Sequence, residues 1–240
     1  MCIRDSSIAL RRPIRDYPGT QPASDHGHSF MLALLDYGSG NIRSVEKALR
    51  AAGAEVTRVS SPDGLRNTRG MVLPGVGAFD DCVNALQRQE LAESVRTWIT
   101  AGRPFLGICV GYQALFQRSE EFNSCALGLG IFEGPVVRFH PTAAEPHLKI
   151  PQIGWNEVEI AQPDAPLFAG IPDRSYFYFV HSFFPNPSDS SIVAGRTDYG
   201  GCFASAVCRD NVWATQFHPE KSQRVGMRLL ANFHEFARRH

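Results

Sequence analysis

From Met31 onward, short apolar runs alternate with stretches whose apolar residues recur every three or four positions, with glycine or proline at most junctions. Residues 31–36 read as a buried strand that ends in the turn cluster Tyr37-Gly38-Ser39-Gly40. Asn41 suits the N-cap of a helix carrying Val45, Ala48 and Leu49 on one face and stopped at Gly53. Residues 54–60 and 70–73 read as further strands, the second broken by Pro74-Gly75-Val76-Gly77. Helices are predicted over 78–87 and 90–100, then a strand over 104–108 that runs straight into Cys109. Continuous apolar strands separated by amphipathic helices predict a parallel sheet covered on both faces.

Beyond Gly130 the texture changes to strands of alternating polarity over 134–139, 156–160, 176–180, 192–196, 203–208 and 212–216. The final element, 222–238, reads as an amphipathic helix with Val225, Leu229, Phe233 and Phe236 turned inward. The expected fold class is therefore α/β, a central mostly parallel sheet with flanking helices and an antiparallel C-terminal portion.

Composition narrows the possibilities. Hydrophobic residues make up 43% and charged residues 20% of the 240, as in globular proteins. Lys plus Arg and Asp plus Glu both number 24, a balance that argues against nucleic acid as the main partner. No apolar run reaches the roughly 18 residues of a membrane span. The six cysteines form no C-x-x-C pair and carry no zinc-finger spacing, so reduced thiols in a cytoplasmic protein are expected, with no metal or cofactor.

Residues 1–30 differ from the rest: four arginines, three prolines, and no sustained period. Their one apolar stretch, Ile8-Ala9-Leu10, is too short for a secretory signal, and Asp5, Asp16 and Asp25 do not suit a transit peptide. They are expected to be a non-native or disordered extension, with residues 31–240 forming the working domain.

Gly107-Ile108-Cys109-Val110-Gly111 has the form Gly-x-nucleophile-x-Gly between a strand and a helix-compatible stretch. Glycines allow the tight turn that presents such a nucleophile, and a helix N-terminus behind it favours thiolate. A nucleophile needs a base. Phe217-His218-Pro219-Glu220-Lys221 closes a strand, so His218 can take the thiol proton while Glu220 orients the imidazole. The glycines of Pro74-Gly75-Val76-Gly77 serve either an ordinary strand-to-helix turn or an oxyanion hole made with the Val110 N–H.

These segments, in this order and spacing, resemble the class I glutamine amidotransferases, whose fold is flavodoxin-like. Within that family, Asp36 to Asn41, Pro74 to Phe79, Lys149 to Asn156, Tyr178 to Ser182 and Phe217 to Ser222 are similar to the glutaminase subunits of imidazole glycerol phosphate synthases. The resemblance implies hydrolysis of glutamine to glutamate, with ammonia passed to a (β/α)8-barrel cyclase subunit in a heterodimer of histidine biosynthesis. It implies Cys109, His218 and Glu220 as the catalytic triad and an oxyanion hole at Gly75, Val76 and Val110. Gly77, Gln113 and Glu121 would hold the glutamine. Asn41, Trp155 and Tyr178 would face the partner, although the two aromatics equally suit core packing. Two residues depart from the family's usual pattern: Tyr112, where Met is commoner, and Gln152, where His is usual; Gln152 is expected to bear on the interface or on coupling between the subunits. The nearest rivals are another amidotransferase of the same class, a catalytically silent subunit, and a thiol hydrolase on a related fold.

Overall fold

The computed structural model describes residues 30–240 apart from Ser39, Phe122, Asn123 and Ala144. The expected extension over residues 1–30 lies outside the described residues, except for Phe30, whose ring sits 5.3 Å from that of His234. Strands β1 (Met31–Leu35), β2 (Glu55–Val59), β3 (Thr68–Leu73) and β4 (Phe105–Ile108) pair in parallel, in the order β2-β1-β3-β4. β1, β3 and β4 are apolar at most positions because both faces are covered, and β4 is buried along its length. The crossovers are the helices α1 (Ile42–Ala51), α2 (Phe79–Arg88) and α3 (Leu91–Thr100).

A two-residue strand β5 (Arg118–Ser119) and β6 (Pro135–Arg138) follow, then the long strand β7 (Gln152–Ile160) and β8 (Ser175–His181). Next come β9 (Phe183–Pro185), β10 (Val193–Asp198), β11 (Cys202–Arg209) and β12 (Val212–Thr215). Among the described residues nine strands share one sheet in the order β2-β1-β3-β4-β12-β11-β10-β7-β8, while β5, β6 and β9 form a second, smaller one. The sheet is parallel as far as β12 and antiparallel from β11 onward; β12, read from sequence among the alternating strands, is instead a parallel strand buried along its length.

Several expectations are corrected. β5 and β9, of two and three residues, are too short to show a period in the sequence. β7 starts four residues earlier than expected: Gly154 hides the pattern, yet pairing with β8 runs unbroken from Gln152↔His181 to Val158↔Ser175. Asn41 holds the N-cap position of α1, but its side chain makes no capping bond. In the last helix, α5 (Gln223–Arg239), the buried stripe is Gly226, Leu229, Leu230, Phe233 and Ala237, with Val225 and Phe236 half-buried. Among the described residues no helix is long and apolar enough to cross a membrane.

The pairing of β12 with β4 positions the site. Thr215 lies opposite Ile108, so the C-terminal ends of these neighbouring parallel strands deliver Cys109 and His218 to one edge of the sheet. Crevices at the carboxyl ends of parallel strands are where open α/β sheets bind ligands.

Candidate active site

Cys109 sits where β4 stops, with φ 54° and ψ −108°. A non-glycine residue in that region is strained by about 1–3 kcal/mol and persists only where its surroundings dictate it. They do so here: the Cys109 N–H donates to the Thr215 carbonyl at 2.7 Å, and the Cys109 carbonyl accepts from Tyr112 and Gln113. The helix that follows, α4 (Val110–Gln113), is a single turn and not the longer one the sequence suggests. It ends because the carbonyls of Ala114 and Leu115 accept instead from the N–H groups of Leu129 and Ile131. Its dipole therefore contributes little. The Val110 N–H, first in that turn, has no acceptor within the helix.

The candidate base follows β12. The His218 N–H donates to the Tyr178 carbonyl at 2.9 Å, and Phe217 packs its ring 4.1 Å from that of Phe177. His218 Nδ1 lies 2.8 Å from Glu220 Oε1, and neither side chain is appreciably exposed. A carboxylate only accepts, so Nδ1 carries a hydrogen and Nε2 is left to trade a proton. Burial pulls the proton affinity of His218 down, but the Cys109 sulfur and the Glu220 carboxylate outweigh it, and the pKa is raised. Nε2 makes no hydrogen bond among the described residues. The Cys109 sulfur is nevertheless close enough to raise the His218 pKa.

Cys109 and His218 open on a cavity of about 390 Å³, also lined by Val76, Gly77, Val110, Gln113 and Glu121. Small-molecule sites span roughly 300–1,000 Å³. Of the three residues expected to form an oxyanion hole, Val76 and Val110 line the cavity, whereas Gly75 packs behind it. A Cβ on Gly75 would stand 2.5 Å from the Gly111 nitrogen, so only glycine lets the loop lie against the elbow. The Tyr37 hydroxyl, buried, fixes the start of that loop by donating to the Pro74 carbonyl at 2.9 Å. Glu121 is held in the cavity wall by the Phe79 N–H, 2.7 Å from Oε2; burial raises its pKa. Gln113 Nε2 donates to the Phe183 carbonyl at 2.9 Å and to Gln216 Oε1 at 3.2 Å.

Trp155 and Tyr178 are cross-strand neighbours in edge-to-face contact, ring centroids 6.1 Å apart. Trp155 is 45% exposed and Tyr178 half-buried, so core packing does not account for the tryptophan. Asn41 stands at the start of α1, one residue after the loop that brings Gly40 near Pro74. Gln152 is buried, not part of an exposed surface, because the first position of β7 faces inward opposite His181. Tyr112 is a core residue whose hydroxyl donates to the Ala204 carbonyl at 3.3 Å.

His181 lines the same cavity, and its side chain was not singled out from sequence. Nδ1 lies 2.9 Å from the Phe183 carbonyl, and burial pushes its pKa down to about 3. The unfolded chain takes up a proton there below the ordinary value of about 6.5, while the folded protein does not until far lower. Stability is therefore full above that value and is lost as pH falls from it toward about 3. The contribution of His181 to this loss approaches about 1.4 kcal/mol per pH unit. Urea midpoints measured from neutral to acid pH check this: His181→Gln should flatten the slope, and an unchanged slope would place the titration elsewhere.

The family described as glutamine amidotransferase class-I matches residues 33–236. The chain is 49% identical over 210 residues to a protein of Synechococcus sp. (strain JA-3-3Ab) named imidazole glycerol phosphate synthase subunit HisH, covering 87% of this chain and 94% of that one. It is 50% identical over 208 residues to a protein of the same name from Methylococcus capsulatus (strain ATCC 33009 / NCIMB 11132 / Bath), covering 84% and 94%. Among solved structures, PurLQS from Thermotoga maritima aligns with TM-score 0.70 at 18% identity, over 87% of this chain and 99% of that chain, a likeness of fold alone.

Proposed function

The chain belongs to the class I glutamine amidotransferase family, and we propose that it is the glutaminase subunit of an imidazole glycerol phosphate synthase, acting in the cytoplasm. The observation that carries the chemistry is the meeting of Cys109 with the His218–Glu220 pair in one cavity at the ends of β4 and β12. The identity with relatives named as HisH supports the pathway.

In this reading the Cys109 thiol gives its proton to His218 Nε2, and the sulfur attacks the side-chain amide carbon of glutamine. Negative charge collects on the former carbonyl oxygen, toward the Val110 N–H and a peptide N–H of the Gly75-Val76-Gly77 loop. The C–N bond then breaks, with the proton on His218 going to the leaving nitrogen, so ammonia departs and a thioester remains. Water, deprotonated by His218, attacks the thioester; glutamate leaves and the thiol is restored. Glu121 offers a carboxylate to the substrate ammonium, Gln113 an amide, and Gly77, at φ 96°, room beside the cavity.

Ammonia at neutral pH is mostly protonated and no longer nucleophilic, so it is useful only if handed on before it equilibrates with water. That requires a partner, proposed to be a (β/α)8-barrel cyclase forming a heterodimer. The β7–β8 hairpin suits docking: Ile153, Trp155 and Tyr176 are 63%, 45% and 53% exposed, and Tyr178, whose carbonyl holds His218, lies among them. Asn41 would join that interface from α1. The glycines flanking Val76 let one peptide turn, so partner binding can complete the oxyanion hole.

The test is glutamate release by the chain alone, then with a cyclase subunit and its ribonucleotide substrate. Stimulation of about tenfold or more supports both the chemistry and the coupling. Activity indifferent to partner and nucleotide would keep the glutaminase and reject this partner.

A further inference from the structure

A chain of buried amides runs beneath the cavity to the nucleophile. Gln216 is fully buried, its Oε1 accepting from Gln113 Nε2 at 3.2 Å and its Nε2 lying 3.7 Å from Cys109 Sγ. Gln113 Nε2 is shared between Gln216 Oε1 and the Phe183 carbonyl, which fixes how the Gln113 amide faces the cavity. We propose that Gln216 is a further catalytic residue of this site: its side-chain N–H donates to the Cys109 sulfur, favours the anionic form and holds it for attack. The inference rests on the reading of Cys109 as the nucleophile.

The physical argument starts from the cost of burial. An amide carried into the core must find partners at both ends or lose its hydration uncompensated. The oxygen of Gln216 has one in Gln113. Among the described residues its nitrogen meets a single acceptor, the sulfur. A neutral thiol is a weak acceptor and a thiolate a strong one, because charge-assisted hydrogen bonds are shorter and about twice as strong. The bond is thus worth most when charge sits on sulfur and least once sulfur is acylated. It therefore enlarges the fraction of the sulfur ready to attack at neutral pH, and the gain lies in that fraction, because the bond weakens as charge leaves the sulfur.

Position adds to this. Gln216 follows β12 and precedes Phe217 and His218, so the segment that supplies the base also supplies a donor to the nucleophile, 107 positions away in sequence. The Gln216 N–H donates to the Ser205 carbonyl at 2.8 Å, which anchors its backbone to β11.

Two substitutions separate the roles. Gln216→Glu keeps an acceptor for Gln113 but sets a carboxylate oxygen against the sulfur. Gln216→Met preserves approximate volume and removes both polar ends. The readout is the rate at which iodoacetamide alkylates Cys109 at a fixed neutral pH, followed on the Cys109 peptide by mass spectrometry, since other cysteines are exposed. Circular dichroism confirms folding; should Gln216→Glu fail to fold, Gln216→Met decides. Alkylation is expected to slow by roughly tenfold or more in Gln216→Glu and by less in Gln216→Met. With cyclase and nucleotide present, kcat for glutamine should fall in parallel in Gln216→Glu while KM changes little. Alkylation at the parent's rate in the folded variants would overturn the proposal. A parent that releases no glutamate would instead reject the glutaminase reading and leave the alkylation comparison intact.

Discussion

Cys109→Ala is expected to lower partner-stimulated glutamate release by about four orders of magnitude or more, because among the described residues no other thiol lines the cavity with His218. The more informative variant is Cys109→Gly. On side-chain packing alone it should be the less stable of the two, since it removes more of a buried residue. However, Cys109 has φ 54° and ψ −108°, a conformation glycine adopts without cost and alanine does not. The strain is about 1–3 kcal/mol, larger than the value of one buried methyl group at roughly 0.8 kcal/mol. Cys109→Gly should therefore unfold at higher denaturant than Cys109→Ala while both are inactive. A lower midpoint for the glycine variant would mean that the elbow stores no strain; residual activity in either would remove Cys109 from the chemistry.

The second large effect is expected at a residue that does not line the cavity. Gly226 lies in α5, where Gly→Ala on an exposed face would stabilise by up to about 1 kcal/mol. Here the sign reverses. A Cβ at Gly226 would stand 1.9 Å from the Pro219 carbonyl oxygen and 2.8 Å from its carbon, and backbone cannot rotate aside as a side chain can. Overpacking of this kind costs about 1–3 kcal/mol. Pro219 links His218 to Glu220, so relief of the clash moves both. Ser222 transmits the shift: its hydroxyl donates to the His218 carbonyl and accepts from the Tyr178 N–H at 3.0 Å. A displacement near 1 Å lowers kcat by about a hundredfold, with less change in KM. Steady-state kinetics and thermal melts on Gly226→Ala check both parts. A variant as stable and as active as the parent would mean that α5 can back away from the turn freely.

Much of this protein is legible in its sequence, and for a local reason. β1, β4 and the Met71–Leu73 half of β3 announce themselves because strand segments covered on both faces are apolar in unbroken runs, and the amphipathic helices between them because one stripe is buried. The corner at Cys109 is legible because Gly107 and Gly111 are the residues a tight strand-to-helix turn requires. The His-x-Glu spacing likewise puts Glu220 within reach of His218, and the two lie 2.8 Å apart. What the sequence could not disclose is adjacency. Polarity patterns report that a side chain is buried, not what lies against it.

Only the pairing of β12 with β4 sets Cys109 beside His218 and points the Gln216 amide at its sulfur. Only the β7–β8 register takes Gln152 inside, opposite His181, and leaves Trp155 in solvent. Gly226 reads as a weak spot in a helix until the Pro219 carbonyl is seen against it. Local chemistry, carried by neighbouring residues, is written in order along the chain. The contacts that bring the nucleophile, its base and their supports together cross a hundred residues, and packing alone decides them.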